Sequence, residues 1–207
     1  MVPRRDRRFA EAALAAVILV LALPLLLLTA VGILLSDPGP VFYIAERVGL
    51  SGVPFRMYKF RTMRRAKNPG SRIAAARDPR VFPFGLLLRS LKLDELPQLL
   101  NIVRGEMAFV GPRPEDPWFV EHAYSAQDRE TLLVRPGLTS PGTLYYFTHA
   151  EQFLDAVGTE AAYVSGPLKI KLQLDREYIA RATGGSDLRL ICETVRVLLR
   201  RPPSYIQ

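Results

Sequence analysis

Cysteine is almost missing from this chain. Cys192 is the one thiol in 207 residues, which excludes an intrachain disulfide and suits a reducing compartment. It sits in an apolar helical pattern and reads as a core or interface residue. Histidine is nearly as scarce: His122 and His149 stand far apart, without metal-ligand spacing, and neither is assigned a catalytic role. No repeat and no low-complexity tract is present. From residue 12 to residue 35 there is no charge at all, and between 40 and 80 the acids thin out to Glu46 and Asp78.

What fills that second gap is positive charge. Residues 40–80 carry ten Lys or Arg, among them Arg47, Arg56, Lys59, Arg61 and Arg80, whereas residues 81–207 balance fourteen basic against fifteen acidic side chains. The net charge of +8 is therefore a local block. Such a block can meet nucleic acid, an anionic leaflet or a polyphosphate substrate.

The uncharged run of 24 residues spans about 36 Å as a helix, enough to cross a bilayer. Its exit at Leu34-Leu35-Ser36-Asp37 lacks the small-x-small pattern of a cleaved signal peptide. Pro24 stands near its centre, where it kinks or breaks a helix. Arg4, Arg5, Arg7 and Arg8 precede the run, and Arg47, Arg56, Lys59 and Arg61 follow it. Positive charge prefers the cytoplasmic side, so a helix that enters, breaks at Pro24 and returns satisfies both flanks. A kinked full crossing is the alternative. Residues 1–36 are thus expected to form a membrane element and 37–207 a cytosolic domain lying at the interface.

Ser36-Asp37-Pro38-Gly39-Pro40 ends the apolar run. Val41–Ile44 and Pro54–Phe60 read as short strands around the turn Gly49–Gly52. Asn68–Ser71 and Asp78-Pro79 read as loops. Leu86–Leu88, Leu91 and Leu93 suit a helix on an apolar surface. Leu96, Leu99, Leu100 and Val103 keep helical spacing until Gly105. Leu144–Phe147 reads as a strand or an aromatic interfacial stretch. Helices are expected over Leu168–Ala182, stopped by Gly184-Gly185, and over Asp187–Arg200. The last carries Leu188, Ile191, Val195, Leu198 and Leu199 on one face with Arg189, Arg196, Arg200 and Arg201 beside it, and is read as an interfacial or an ordinary packing helix. The expected fold class is α+β, mostly helical, with a small strand pair and amphipathic interfacial helices.

The chemistry concentrates in two stretches. Leu93-Asp94-Glu95-Leu96-Pro97 puts adjacent acids at the mouth of an apolar helix, and Gly111-Pro112-Arg113-Pro114 holds an arginine in a rigid turn. Asp before Pro can be a plain N-cap. A helix N-terminus also keeps a carboxylate ionised and offers N–H groups to phosphate. An ionised carboxylate can attack phosphorus, and its neighbour can hold Mg²⁺. Arg113 can grip a phosphate, or can simply close a turn. Lys59 and Arg61 alternate with Tyr58 and Phe60, a pattern that nucleic-acid binding also uses; a membrane-tethered chain that is otherwise near neutral argues against that use.

Arg7-Arg8 with Pro24, Gly39-Pro40-Val41-Phe42, Arg47-Val48-Gly49, Tyr58-Lys59-Phe60-Arg61-Thr62-Met63, Leu93-Asp94-Glu95-Leu96-Pro97-Gln98-Leu99 and Val110-Gly111-Pro112-Arg113-Pro114 occur in one order. In these the chain resembles the bacterial sugar transferases, the small monotopic phosphoglycosyl transferases. The resemblance is good from about Arg7 to Leu138 and weak afterwards. It implies transfer of a sugar 1-phosphate from a nucleoside-diphosphate sugar, usually a UDP-sugar, to a polyprenyl phosphate such as undecaprenyl phosphate. UMP leaves, and a primed carrier remains for cell-surface glycan synthesis. It implies Asp94 as the nucleophile of a covalent phosphosugar, Glu95 as a Mg²⁺ ligand beside it, Arg89 as support for the acid pair, and Arg113, Lys59 and Arg61 as phosphate-binding cations. It further implies a re-entrant helix broken at Pro24 in a bacterial inner membrane, with the catalytic part on the cytoplasmic face and membrane lipid as a partner. The chain is expected to be a minimal catalytic unit, and a homodimer is among the assemblies it allows. It departs from the family at Glu11, at Leu23, where the family has a helix-breaking serine before the proline, and at Glu106, and most where a Pro-Gly-x-Thr-Gly-Trp-Ala-Gln-type stretch reads Pro136-Gly137-Leu138-Thr139-Ser140-Pro141-Gly142-Thr143-Leu144-Tyr145-Tyr146. Two rivals come from other classes: a catalytically silent membrane scaffold for glycan assembly, and a membrane-tethered nucleic-acid binder.

Overall fold

The structure, a computed structural model, describes residues 7–64, 78–150 and 160–200. The loop expected at Asn68–Ser71 lies outside the described residues. The uncharged run forms two helices, α1 (Arg8–Leu21) and α2 (Leu23–Ser36), which meet at Ala22 with a bend of 60°. The break falls just before Pro24, in the first turn of α2. Proline there lacks only an N–H that a helix start leaves unbonded anyway, whereas in one continuous helix its ring would strike the carbonyl of Val20. The bend frees little backbone: Ala22 N–H donates to Ile18 O at 2.8 Å and Leu26 N–H to Ala22 O at 2.9 Å. The backbone around the break is thus bonded without a serine at position 23. Among the described residues no single helix is long and apolar enough to cross a membrane, and only this bent pair reaches that length together.

Two antiparallel strands follow, β1 (Phe42–Val48) and β2 (Pro54–Phe60), with Tyr43 opposite Lys59 and Ala45 opposite Met57. The first strand runs four residues beyond its expected end because Arg47 and Val48 pair with Phe55 and Pro54. β2 is used on both faces. Met57 joins a core with Ala15 of α1, Ala45, Leu99, Ile102 and Met107, while Phe60 joins Ile33 of α2, Phe82 and Leu88. Each arm of the bent α1–α2 pair therefore packs against one side of the strand that carries Lys59, and hydrophobic burial fixes that strand between them.

Helix α3 (Pro83–Ser90) leads through Leu91 and Lys92 into a 3₁₀ turn, Leu93–Gln98, and then α4 (Leu99–Val103). Gly105, at φ +76°, takes the left-handed conformation that turns the chain out of α4. β3 (Ala108–Val110) pairs in parallel with β4 (Gly137–Thr139), a second small sheet that the sequence pattern does not announce. Between them lie α5 (Pro117–His122) and the 3₁₀ turn Asp128–Leu133. The chain continues as α6 (Pro141–Tyr145), a π-helical turn Tyr146–Ala150, α7 (Glu160–Ser165), α8 (Pro167–Arg181) and α9 (Gly184–Arg200). The mostly helical build and the small antiparallel strand pair are as expected, and the parallel β3–β4 pair adds to them.

Several local expectations are corrected. Leu144–Phe147 is helical, because Ser140 caps α6 by accepting from Thr143 N–H at 2.9 Å and Pro141 begins it. Gly184 and Gly185 do not stop a helix; they open α9, where Ser186 and Thr183 exchange capping hydrogen bonds. Cys192 is exposed, not in the core. In α9 Leu190 is buried against Val110 and Leu144, while Leu188, Val195 and Leu199 are exposed.

Candidate active site

Asp94 is not an N-cap. The cap position belongs to Lys92, which takes a left-handed conformation at φ 54° and makes no side-chain cap bond. That kink turns the chain sharply off α3 and places Asp94 and Glu95 inside the 3₁₀ turn, against β2. Asp94 is buried, and its Oδ1 makes no hydrogen bond. Burial, then the adjacent Glu95 charge, raises its carboxyl above the ordinary range; the charges of Lys59, Lys92 and Arg89 pull the other way. A helix start was expected to keep this carboxylate ionised, but here burial outweighs it.

Glu95 lives in the opposite field. Arg113 Nη1 donates to its Oε2 at 3.1 Å, and Arg113 Nη2 and Lys59 Nζ both donate to Oε1, Lys59 at 3.2 Å. Burial alone would raise the Glu95 carboxyl, yet the Arg113 and Lys59 charges hold it well below the ordinary range. One acid of the pair is thus locked as a carboxylate between two cations, and the other retains an unpaired oxygen and an elevated proton affinity. Such a split assigns the two carboxylates different roles.

Arg113 owes its position to a close backbone approach. Gly111 N–H donates to Thr139 O at 3.0 Å and Gly137 N–H to Pro112 O at 2.9 Å, so the Pro112-Arg113 turn is stitched to β4. Behind it, Glu115 accepts from Lys171 and from Tyr163 Oη at 2.7 Å, and the Lys171 and Tyr163 side chains are buried. Asp175, one turn on from Lys171, accepts from Gly142 N–H at 2.8 Å and is pushed up to about 6 by burial. These contacts tie α8 to both α6 and the Arg113 turn. A small cleft lined by Val48, Gly49, Arg113, Glu115 and Tyr124 adjoins the turn but includes neither Asp94 nor Glu95.

Of the residues singled out in the sequence, Asp94, Glu95, Lys59 and Arg113 are brought together. Arg89, in the last turn of α3, acts on Asp94 through its charge. Arg61 is directed elsewhere: its guanidinium binds Asp37 and donates through Nε to Pro40 O at 2.6 Å, closing the exit from α2. The sequence reading missed Asn101. Buried in α4, it receives Tyr58 N–H at 3.1 Å and donates to Arg56 O at 2.7 Å, so it fixes the height of Lys59 on β2. It also donates to Glu106 at 2.6 Å. An asparagine in an otherwise apolar helix was the available signal.

The chain matches the family model described as "Bacterial sugar transferase" over residues 3–201. The chain belongs to the bacterial sugar transferase family. Similar sugar transferases include the UDP-N-acetylgalactosamine-undecaprenyl-phosphate N-acetylgalactosaminephosphotransferase of Aeromonas hydrophila, 37% identical over 90% of this chain and 42% of that protein. Another is the UDP-glucose:undecaprenyl-phosphate glucose-1-phosphate transferase of Caulobacter vibrioides, 36% identical over 96% of this chain and 72% of that protein. The Escherichia coli protein of the same name is 31% identical over 94% of this chain and 40% of its own length. This sugar transferase chain therefore spans less than half of the Aeromonas and Escherichia relatives and most of the Caulobacter one.

Proposed function

We propose that the protein moves a sugar 1-phosphate from a UDP-sugar to undecaprenyl phosphate, in two steps through Asp94, and so primes the synthesis of a cell-surface glycan. The observation that carries this reading is the unpaired, buried Oδ1 of Asp94 beside a Glu95 already neutralised by Lys59 and Arg113. Family membership and the printed names of the relatives support the substrates. In the first step an Asp94 oxygen bonds to the sugar-bearing phosphorus, and the bond from that phosphorus to the bridging oxygen breaks. UMP leaves with the electron pair. In the second step an oxygen of undecaprenyl phosphate attacks the same phosphorus, and the Asp94 carboxylate departs. Because burial favours protonated Asp94, the carboxyl must lose its proton before attack, and the nearby charges of Lys59, Lys92 and Arg89 favour that loss.

Mg²⁺ fits this donor set in a limited way. Among the described residues no group of three or more His, Cys, Asp or Glu side chains is placed to hold a metal. A Mg²⁺ with several waters of its own would need only one or two carboxylates; Glu95 would hold it on giving up a bond to Lys59 or Arg113, with the second carboxyl oxygen of Asp94 beside it, leaving the unpaired Asp94 Oδ1 for phosphorus. When bound, the ion would neutralise charge on the phosphoryl oxygens. We place the α1–α2 hairpin in the inner membrane as a re-entrant element, with residues 37–207 on the cytoplasmic face. The 60° bend, the basic residues on both flanks and the exposed apolar side chains Leu14, Val17, Val20, Leu27, Leu28 and Val31 support that placement.

The test is UMP release by the purified protein in lipid, with Mg²⁺, undecaprenyl phosphate and a panel of UDP-sugars. Release with one sugar is expected, reduced at least about a thousandfold in Asp94→Asn. A donor-derived phosphosugar adduct mapped to another residue would overturn the role of Asp94. Complete silence with every donor would return the reading to a scaffold.

A further inference from the structure

The turn that carries Arg113 ends on another acid. Glu115 stands two residues further on, lines the same small cleft, and its charge reaches the guanidinium that is bonded to Glu95. Its backbone is held in place: Val48 N–H donates to Glu115 O at 3.0 Å, and on the other side of Arg113 the Pro112 carbonyl accepts from Gly137 N–H at 2.9 Å. Burial alone would raise the Glu115 carboxyl, yet the Lys171 charge and hydrogen bond, with Tyr163 and Arg47 behind them, hold it below the ordinary range. Glu115 is therefore an anion, and two carboxylates compete for one guanidinium.

A lysine from another helix decides the competition. Lys171, buried in α8, donates to Glu115 Oε1 and, at 3.1 Å, to Tyr163 Oη, which itself donates to the same Glu115 oxygen at 2.7 Å. Arg47, whose charge also reaches Glu115, is bonded to Asp116 at 2.9 Å. A buried carboxylate that loses its cation is strongly destabilised. Without Lys171, Glu115 would draw the arginine two residues away, and Glu95 would keep Lys59 alone.

We propose that Lys171 is a positioning residue: by neutralising Glu115 it keeps Arg113 on Glu95, at the acid pair. For its effect on turnover this rests on the reading of the protein as a nucleotide-sugar transferase. Lys171 acts through Glu115 and Arg113 and not on the donor, and it gives α8, which lies where the resemblance to the family is weak, a part in setting the site.

The test is an asymmetry that a packing role does not produce, read on the full chain in lipid. Lys171→Met and Glu115→Gln break the same buried pair, and both should lower the melting temperature. Only Lys171→Met leaves a rival carboxylate behind. It should cut UMP release per folded enzyme about a hundredfold, while Glu115→Gln stays within about threefold of wild type and the double variant recovers to that level. Equal losses in the two single variants, or a double variant as slow as Lys171→Met, would overturn the role of Lys171. Tyr163→Phe is the milder probe should Lys171→Met fail to fold: it removes one bond to Glu115 and keeps the ring, and it should cost about threefold in rate. A loss there that Glu115→Gln does not restore would also overturn the role. A second measurement needs no turnover. Glu95→Gln should lower the melting temperature of the wild type, by about half as much in Lys171→Met, where Arg113 has already left, and in full again once Glu115→Gln is added. If the melting shifts follow this order but the wild type releases no UMP from any donor, Lys171 keeps its role and the transferase reading fails. If the wild type turns over and the asymmetry is missing, the transferase reading stands and the role of Lys171 fails.

Discussion

Adding one carbon at Gly137 should disable the site without changing any of its functional groups. A Cβ there would stand 2.1 Å from Gly111 N and 2.7 Å from Gly111 O, where 3.0 Å is the closest approach such carbons make. The two backbones must then part by about 0.9 Å (3.0 − 2.1). The β4 side is the better anchored. Arg135 donates to Met107 O at 3.1 Å and pairs with Glu11 of α1, and Thr139 bonds Thr194 of α9 at 2.7 Å. The shift therefore falls on Gly111 and the Pro112-Arg113 turn. Carried along fully, it stretches the Arg113 Nη1–Glu95 Oε2 contact from 3.1 Å to about 4.0 Å, beyond hydrogen bonding. Gly137→Ala is expected to cost about 1–3 kcal/mol in stability, as overpacking does, and about a hundredfold in rate through the displaced arginine. Thermal unfolding and UMP release in lipid read the two effects. Gly185→Ala is the control: its Cβ would meet nothing nearer than 3.9 Å, so rate should hold and stability should rise by up to about 1 kcal/mol. A Gly137→Ala protein that melts and turns over like the wild type would refute the view that this backbone contact positions Arg113.

The remaining predictions concern charge. In the wild type the acid limb of the rate profile should report Asp94 losing its proton, at a pH above the ordinary carboxylate range because burial and then Glu95 raise it. Glu95→Gln removes the second cause, so the residual activity should show its acid limb at lower pH; a limb that stays or moves up would contradict the coupling. Glu95 itself is held well below its usual value, so the stability it contributes through Arg113 and Lys59 is present above the ordinary carboxylate range and is lost as pH falls through its depressed folded value. Arg61→Ala should lower stability by about 2–4 kcal/mol, since it abandons buried bonds to Asp37 and Pro40, while KM for the donor in the folded fraction stays unchanged. A rise in KM with no loss of stability would put Arg61 back among the phosphate ligands.

Much of this was legible in the residues, and the failures have physical causes. The break near Pro24, the two first strands and the meeting of Asp94, Glu95, Lys59 and Arg113 follow from proline chemistry, alternation and motif order. Arg61 misled because alternation predicts which face a residue takes only while the strand lasts, and β2 ends at Phe60. Asp94 misled because an Asp three residues before Pro reads as a cap, and nothing local announces that Lys92 adopts a left-handed turn instead. The contact of the Phe147 ring with Lys92 and Arg113 was not legible, since it joins positions 92, 113 and 147 that only the fold brings together. The β3–β4 pair was too short, at three residues each, to leave a period.

The packing of the N-terminal hairpin has a consequence for how the protein comes into being. Ala15 and Ile33 are completely buried, one on each side of β2, and Glu11 is bound to the arginine two residues before Gly137. The helices that look like an address label are structural members of the candidate site. Severing the chain near residue 36 would not release a soluble enzyme; it would strip a wall from each of two cores and leave the lysine strand unsupported. Synthesis delivers α1 and α2 before β2 and the acid pair, so those later segments fold against helices already made. On the proposed placement of α1 and α2 in a membrane, the support of the lysine strand and the location of the chain depend on the same two helices.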